Sequence, residues 1–277
     1  MAGFDTHVHS TASDGVLHPA ELVKRAQQCG LLGMALTDHD TVDGLAEAMA
    51  AGQELGFPVI TGIEFSSEIY ERDVHILGYW IDAAKLRADG RLAALQQSRI
   101  RRIYEMVRRL RILGMELDAE AILAAAGGSP GRPHVALAMV NAGYAVSVRD
   151  AFQKWLGRGL PAYVERKKLS PFEAVEIIRA AGGAPVLAHP GCGVPDALLQ
   201  PLINAGIYGI EAYHPEHSPQ MEKKYARIAL HHRLAALGGS DFHTPGIREL
   251  GCRVTTVGQL GKLAALKNDE TAARRIY

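Results

Sequence analysis

Cysteine is scarce in this chain: the three residues, Cys29, Cys192 and Cys252, are widely spaced and form no CxxC pair. That argues against a disulfide framework and against a thiolate zinc site. Neither sign of charge dominates, because thirty basic residues balance thirty acidic ones. There is thus no whole-chain electrostatic case for a nucleic-acid coat or a membrane-surface protein. No run of about eighteen consecutive apolar residues occurs, and the first residues lack a basic stretch followed by an apolar one. Membrane spanning and secretion are not expected, and a cytoplasmic location is. Internal repeats and low-complexity tracts are also missing. The remaining composition, 48% hydrophobic and 22% charged, is that of a soluble globular protein. At 277 residues it permits one large domain, or a domain with an insertion.

The first third alternates strand-like and helix-like segments. Apolar runs at 4–8, 34–37, 57–65 and 74–81 are separated by helical patterns at 19–29 and 45–55. Proline at the start of the first helix and glycine just past both helix ends are the expected punctuation. This βαβαβ pattern predicts a parallel sheet wrapped by helices. From about residue 83 to 160 the pattern becomes helix after helix, which reads as an inserted helical cap. The break Gly127-Gly128-Ser129-Pro130-Gly131 interrupts it. Alternation then resumes with helices at 171–181, 195–205 and 219–232 and strands at 184–188, 207–213, 234–237 and near 253–257. Six or seven such units suit a parallel barrel formed by residues 1–82 and 161–277, with 83–160 inserted.

In folds of this type the active site lies on the loops that follow the strands. The polar motifs fall there. His7-Val8-His9 ends the first strand, and an i, i+2 pair on extended chain turns both imidazoles to one side. Asp14 follows in the adjoining loop. Thr37-Asp38-His39-Asp40 ends the second strand, Gly62-Ile63-Glu64 the third, and His75 opens the next run. Ala188-His189-Pro190 and Gly239-Ser240-Asp241-Phe242-His243 end two later strands. Imidazole and carboxylate without thiolate suits zinc, manganese or iron, and nine such groups exceed what one ion can use. Two or three divalent ions are implied. Burying so many ionisable groups together without a cation would be costly.

This ordered set resembles the PHP family, the polymerase and histidinol phosphatase domain. The resemblance implies a distorted (β/α)7 barrel that holds two or three ions for phosphoester hydrolysis, with manganese preferred over zinc or iron. It assigns His7, His9, Glu64 and Asp241 to one ion. Glu64 would bridge to a second held by His75 and His189, and Asp14, His39 and His243 would form the third site. Such a centre lowers the pKa of its water and supplies a bridging hydroxide as the attacking group, so no serine or cysteine nucleophile is required. His39 or His243, if unligated, would instead protonate the leaving group.

The cap and its flanks narrow the substrate class. Gly131-Arg132-Pro133-His134, the segment 151–159 with Lys154 and Arg158, and Pro161-Ala162-Tyr163-Val164 are similar to PHP phosphoesterases acting on nucleoside 3′,5′-bisphosphates and short oligonucleotides. The segment Gly209-Ile210-Glu211-Ala212-Tyr213-His214-Pro215 also fits that group. A second phosphate, bound without being cleaved, needs cations away from the metals. Arg132 and Arg158 are the candidates, since guanidinium forks match phosphate oxygens. His134 joins them from the same turn, and Lys154 and Tyr163 are weaker candidates for the substrate site. Blander roles exist: Arg158 solvated in a Gly-Arg-Gly loop, or Arg132 paired with a barrel acid.

The leading expectation is removal of the 3′-phosphate from a bisphosphate such as pAp, giving the 5′-monophosphate. Its alternatives are a 5′-to-3′ exonuclease on short RNA or DNA, a histidinol-phosphate phosphatase, and a nucleotide-binding module with a vestigial site. Six arginines between Arg99 and Arg111 put a basic stripe on one helix, which either keeps the helix soluble or attracts polyanions to the cleft. His214 and His217 are expected to form the site wall, and no obligate protein partner is indicated.

Overall fold

The computed structural model describes residues 3–126, 129–166 and 168–269. Two glycines of the predicted break, Gly127 and Gly128, lie outside the described residues. The chain opens with β1 (Phe4–Val8), α1 (Pro19–Gln28), β2 (Gly33–Leu36), α2 (Leu45–Leu55) and β3 (Val59–Ile69). Pro19 sits in the first turn of α1, and Gly56 closes α2 in the left-handed region with φ 61°.

The parallel pattern fails at the next element. β3 turns directly into β4 (Arg72–Tyr79) through Tyr70 and Glu71, whose φ values are 50° and 61°. Two left-handed residues make a tight hairpin, and two residues are far too few for a crossover. β4 therefore runs antiparallel to β3, and β5 (Ala184–Leu187) pairs antiparallel with it on the other side. The sheet has seven strands in sequence order, parallel on either side of β4.

Between β4 and β5 the chain forms α3 (Ala83–Ala88), α4 (Arg91–Ile112), α5 (Ala119–Ala125), α6 (Arg132–Asn141) and α7 (Val148–Ala151). A π-helical turn over Phe152–Leu156 and α8 (Pro171–Ala180) follow. α8 starts with a reciprocal cap, in which Ser170 Oγ accepts from the Glu173 amide at 3.2 Å and Glu173 Oε2 from the Ser170 amide at 2.7 Å. The remaining elements are α9 (Leu199–Ala205), β6 (Gly209–Tyr213), α10 (Pro219–His231), β7 (Ala235–Gly238) and α11 (Val257–Asn268). The predicted strand near 253–257 is reduced to a single bridge between Thr255 and Phe4, because α11 begins at Val257. The helix predicted over 195–205 begins instead with a short 3₁₀ turn at Asp196–Leu198.

Among the described residues, three apolar clusters hold the molecule together. The largest lies between strands and helices and includes Val8, Leu22, Leu36, Ile63, Phe65, Ile178 and Ile210, together with Leu86, Leu92 and Leu95 of α3 and α4. A second is built from residues 103–164, with Ile103, Met106, Leu110, Val135 and Met139 at its centre. The third contains Leu77 and Tyr79 of β4, Val186, Leu237, and Leu260 and Leu263 of α11. By the two-residue period of a strand, Leu77 and Tyr79 lie on the same face of β4 as His75. Barrel closure is nearly complete: Thr6 Oγ1 donates to the Gly238 carbonyl at 3.1 Å, and Val8 bridges Phe242. No helix among the described residues is long and apolar enough to cross a membrane.

Tyr79 ties β4 to β1, since its buried hydroxyl donates to the Thr6 carbonyl at 2.9 Å. Tyr79→Phe leaves that carbonyl without its donor and is expected to destabilise the fold by about 1–2 kcal/mol in urea unfolding. A change within error would mean that the strand does not depend on this bond.

Candidate metal centre and anion cleft

Strand ends gather the ionisable side chains at one place. His7 Nε2 lies 3.1 Å from Glu64 Oε2 and 3.4 Å from Asp241 Oδ1, and His9 Nε2 lies 3.1 and 3.2 Å from the same two oxygens. The hairpin register sets Ser66 opposite His75, which brings His75 Nδ1 to 2.8 Å from Glu64 Oε1. His189 Nε2 reaches that oxygen at 3.2 Å, and His39 Nδ1 reaches Oε2 at 3.2 Å. Asp14 faces His243 Nε2 at 3.2 Å and His39 Nε2 at 4.0 Å. Donor atoms fall into overlapping sets within 4.8 Å of one another: His7, His9, Glu64 and Asp241; His39, Glu64 and His75; and His9, Asp14, His39 and His243.

These spacings suit a shared cation. Ligands about 2.1 Å from one ion lie roughly 3.0–3.4 Å from each other. Hydrogen bonding leaves the same atoms unsatisfied, since both nitrogens of His9 and Oδ1 of Asp14 are buried without a partner. Burial alone would raise the Glu64 carboxyl, but the imidazoles of His39, His7 and His75 hold it well below the usual carboxylate range. Burial pushes His39 down to about 3 against the pull of Glu64 and Asp14. Imidazole and carboxylate donors in this number fit divalent ions, and the donor set alone does not choose among manganese, zinc and iron.

Several orienting residues escaped the sequence reading. Glu211, buried on β6, accepts from His7 Nδ1 at 2.9 Å and from the His189 amide at 2.8 Å. The signal was an acid inside an otherwise apolar strand. Asp38 accepts from the Ser10 amide at 2.7 Å and from Ser13 Oγ at 2.6 Å, which fixes the loop that carries Asp14. Asp5 accepts from the Ser240 amide at 2.9 Å and the Gly251 amide at 2.8 Å, thereby placing the Asp241 turn. Burial raises the Asp5 carboxyl to about 6, opposed by those bonds. Arg248 forms ion pairs with Asp241 and Glu216. His214 is buried, with Nε2 unpartnered 3.5 Å from Asp241 Oδ2, while His217 Nδ1 donates to the Ala212 carbonyl and its Nε2 accepts from the Gly191 amide.

A second cavity, of about 310 Å³, is lined by Arg72, Arg102, Arg132, Arg158 and Lys168 together with Tyr163, Glu68, Glu71 and Asp73. Cys192 stands in the wall of both this cleft and the metal pocket. Arg132 lies over the rings of Phe152 and Tyr163, at 5.3 and 5.8 Å, rather than against a barrel acid. Arg158 pairs with Glu68 at 2.9 Å, so it is not simply solvated. Burial, with Arg132 and Arg166 beside it, lowers Arg102 to about 10. His134 faces the loop of Asp14: its Nδ1 accepts from the Gly131 amide at 3.1 Å, and burial lowers its pKa against the pull of Asp14. Lys154 is placed elsewhere, paired with Asp150 at 2.7 Å and lying over Trp155, and it does not line the cleft.

The arginine stripe divides. Arg99 is buried and donates to Asp40 Oδ2 at 2.9 Å, and Arg102 reaches the Val164 carbonyl at 2.7 Å from within the cleft. Arg108 and Arg111 are exposed and pair with Glu105 and Glu116. Only part of the predicted basic face therefore turns inward.

The PHP domain pattern matches residues 5–158. The 3′,5′-nucleoside bisphosphate phosphatase of Chromobacterium violaceum is 37% identical over 260 residues, covering 89% of each chain. The 5′-3′ exoribonuclease of Haemophilus influenzae is 35% identical over 254 residues, covering 90% of this chain and 93% of its own. A Bifidobacterium adolescentis structure described as a metal-dependent phosphoesterase superimposes with a TM-score of 0.88 at 31% identity, covering 95% of this chain and 96% of the other.

Glu211 supplies a test of the centre. Glu211→Gln removes the anionic acceptor of His7 and is expected to weaken manganese binding by about 10–100-fold. Calorimetric titration reads this, with circular dichroism checking the fold; undiminished affinity would show that His7 and His189 hold their orientation without it.

Proposed function

Since the chain belongs to the PHP family of metal-dependent phosphoesterases, we propose that it removes the 3′-phosphate from nucleoside 3′,5′-bisphosphates such as pAp, leaving the 5′-monophosphate. The observation that carries this reading is the basic cleft beside the metal pocket, with Cys192 in the wall of both. A doubly phosphorylated nucleotide needs two anion sites of different kinds, one that cleaves and one that only holds.

His7, His9, Asp14, His39, Glu64, His75, His189, Asp241 and His243 would hold two or three divalent ions, manganese being our preference. Such ions polarise phosphoryl oxygens and lower the pKa of water. Arg132 and Arg158 then take the non-scissile 5′-phosphate, and stacking on Phe152 and Tyr163 keeps the Arg132 fork aimed without a competing carboxylate. His134, the third candidate for the substrate site, lies beside the loop of Asp14 and is not among the side chains that line this cleft. With only two ions bound, His39 or His243 would be left unligated and would protonate the departing 3′-oxygen; His243 Nε2 lies 3.2 Å from Asp14 Oδ1.

Hydrolysis of short oligonucleotides from the 5′ end is the second reading, favoured by Arg102, which extends the cationic wall of the same cleft. Both reactions break a bond between the 3′-oxygen and phosphorus and differ in what the phosphorus carries.

The test compares manganese-loaded protein on pAp, a 5′-phosphorylated oligonucleotide and histidinol phosphate. We expect the highest kcat/KM on pAp, lowered about 10–100-fold by Arg132→Ala or Arg158→Ala with metal content retained. Equal or better turnover of histidinol phosphate would overturn the assignment, and preference for the oligonucleotide would favour the exonuclease.

A further inference from the structure

Arg158 is already occupied. Its Nη2 donates to Glu68 Oε2 at 2.9 Å, and its Nη1 donates to the carbonyl and to Oε2 of Glu71 at 3.1 and 3.3 Å. Glu68 Oε2 also accepts from Lys168 Nζ at 3.1 Å, and Asp73 takes the same ammonium. Arg132 differs, for no carboxylate pairs with it among the described residues.

Of the carboxylates on Arg158, Glu71 is the loosely held one, whereas Glu68 is 21% exposed and keeps Lys168 as its partner when Arg158 leaves it. Glu71 stands at the tip of the β3–β4 hairpin with its side chain 86% exposed, and Arg158 itself is 42% exposed. An ion pair this open to water contributes little, so the Arg158–Glu71 pair opens at small cost. Among the described residues, five cations against three carboxylates line the cleft and leave it net positive all the same. It is an anion site in which one guanidinium fork is filled by carboxylate oxygens of the chain itself.

We propose that Glu68 and Glu71 are specificity determinants: they occupy Arg158 as surrogates for phosphate, so that a terminal phosphomonoester displaces them and a phosphodiester does not. This rests on the reading that Arg158 takes the 5′-phosphate. A monoester carries roughly −1.5 to −2 charge near neutrality and three free oxygens, whereas a diester carries a single charge. Replacing two carboxylates with a singly charged diester gives up one negative charge beside the fork, whereas a monoester nearly matches them. A monoester gains about twice the Coulombic attraction and uses both arms of the fork. The exchange thus selects 5′-phosphorylated ends and rejects internal phosphates, without any change at the metal centre.

Calorimetric binding to the manganese-loaded protein tests this, with a nucleoside 5′-monophosphate and its methyl phosphodiester as paired probes. The wild type should favour the monoester. Glu71→Gln and Glu68→Gln should each tighten the methyl diester about two- to fivefold and the monoester less, so that the preference shrinks. Both substitutions keep side-chain size, and thermal melts check the fold. An unchanged preference in both variants, with monoester binding weakened by Arg158→Ala, would overturn the proposal and leave the proposed function standing. If Arg158→Ala left monoester binding untouched, the 5′-phosphate would lie elsewhere and both readings would fail.

Discussion

A single buried carboxylate organises this protein. Glu64, fully removed from solvent on β3, has imidazole nitrogens of His7, His9, His39, His75 and His189 within 3.2 Å of its two oxygens. Those histidines arrive from four other places in the chain: β1, the β2 end, β4 and the β5 end. Burying one carboxylate unpaired would be prohibitive, and burying five imidazoles without an anion would be little better. Each half of the arrangement makes the other tolerable, and the barrel is the device that delivers both to one point.

The antiparallel β4 follows from the same requirement. A crossover after β3 would have sent the next strand around through a helix. The two-residue hairpin instead returns the chain at once, sets His75 beside Glu64, and leaves Glu68 and Glu71 projecting at its far end. Asp40, one residue past His39, fastens the helical segment to this assembly. It accepts from Arg99 of α4 and from Arg166 at 3.0 Å, and Arg99 also donates to Ser66 Oγ, which lies 3.3 Å from His39 Nδ1. Burial would raise Asp40, yet the two guanidiniums hold it well below the usual carboxylate range, so the tether stays charged. Helix placement and ligand placement are thereby linked through one side chain.

Much of this was legible in the sequence because strand ends are marked by chemistry. His7-x-His9, Asp38-His39 and Asp241-Phe242-His243 interrupt apolar runs, and a reader who places them at strand ends has already found the centre. The strand direction of β4 was not legible: Tyr70-Glu71 lacks the Asn-Gly or Gly-Gly signature of a tight hairpin, although both residues adopt left-handed backbone. Thr255 looked like strand because its flanks are apolar or β-branched, but the Thr256 cap starts a helix immediately after it. Glu211, Asp38 and Asp5 were missed because an orienting acid has no spacing rule of its own, since its partner is fixed only in three dimensions. Lys154, a weaker candidate taken from the resemblance of segment 151–159, lies in the π-helical turn over Phe152–Leu156 and pairs with Asp150.

The division of labour along the chain carries a consequence for selectivity. Every candidate metal ligand lies at or before residue 75 or at or after residue 189, on the barrel. Most of the cations that line the neighbouring cleft come from between residues 102 and 168. On the proposed reading, bond breaking and substrate choice rest on different stretches of sequence, joined where Cys192 borders both cavities. A changed helical segment could alter which phosphorylated molecule is held while leaving the donor set intact. The hairpin tip is the exception, because one strand pair supplies both a metal-facing histidine and the carboxylates that contest Arg158. Selectivity for charge on the substrate is consequently anchored to the same rigid ladder that positions His75, rather than left to a surface loop.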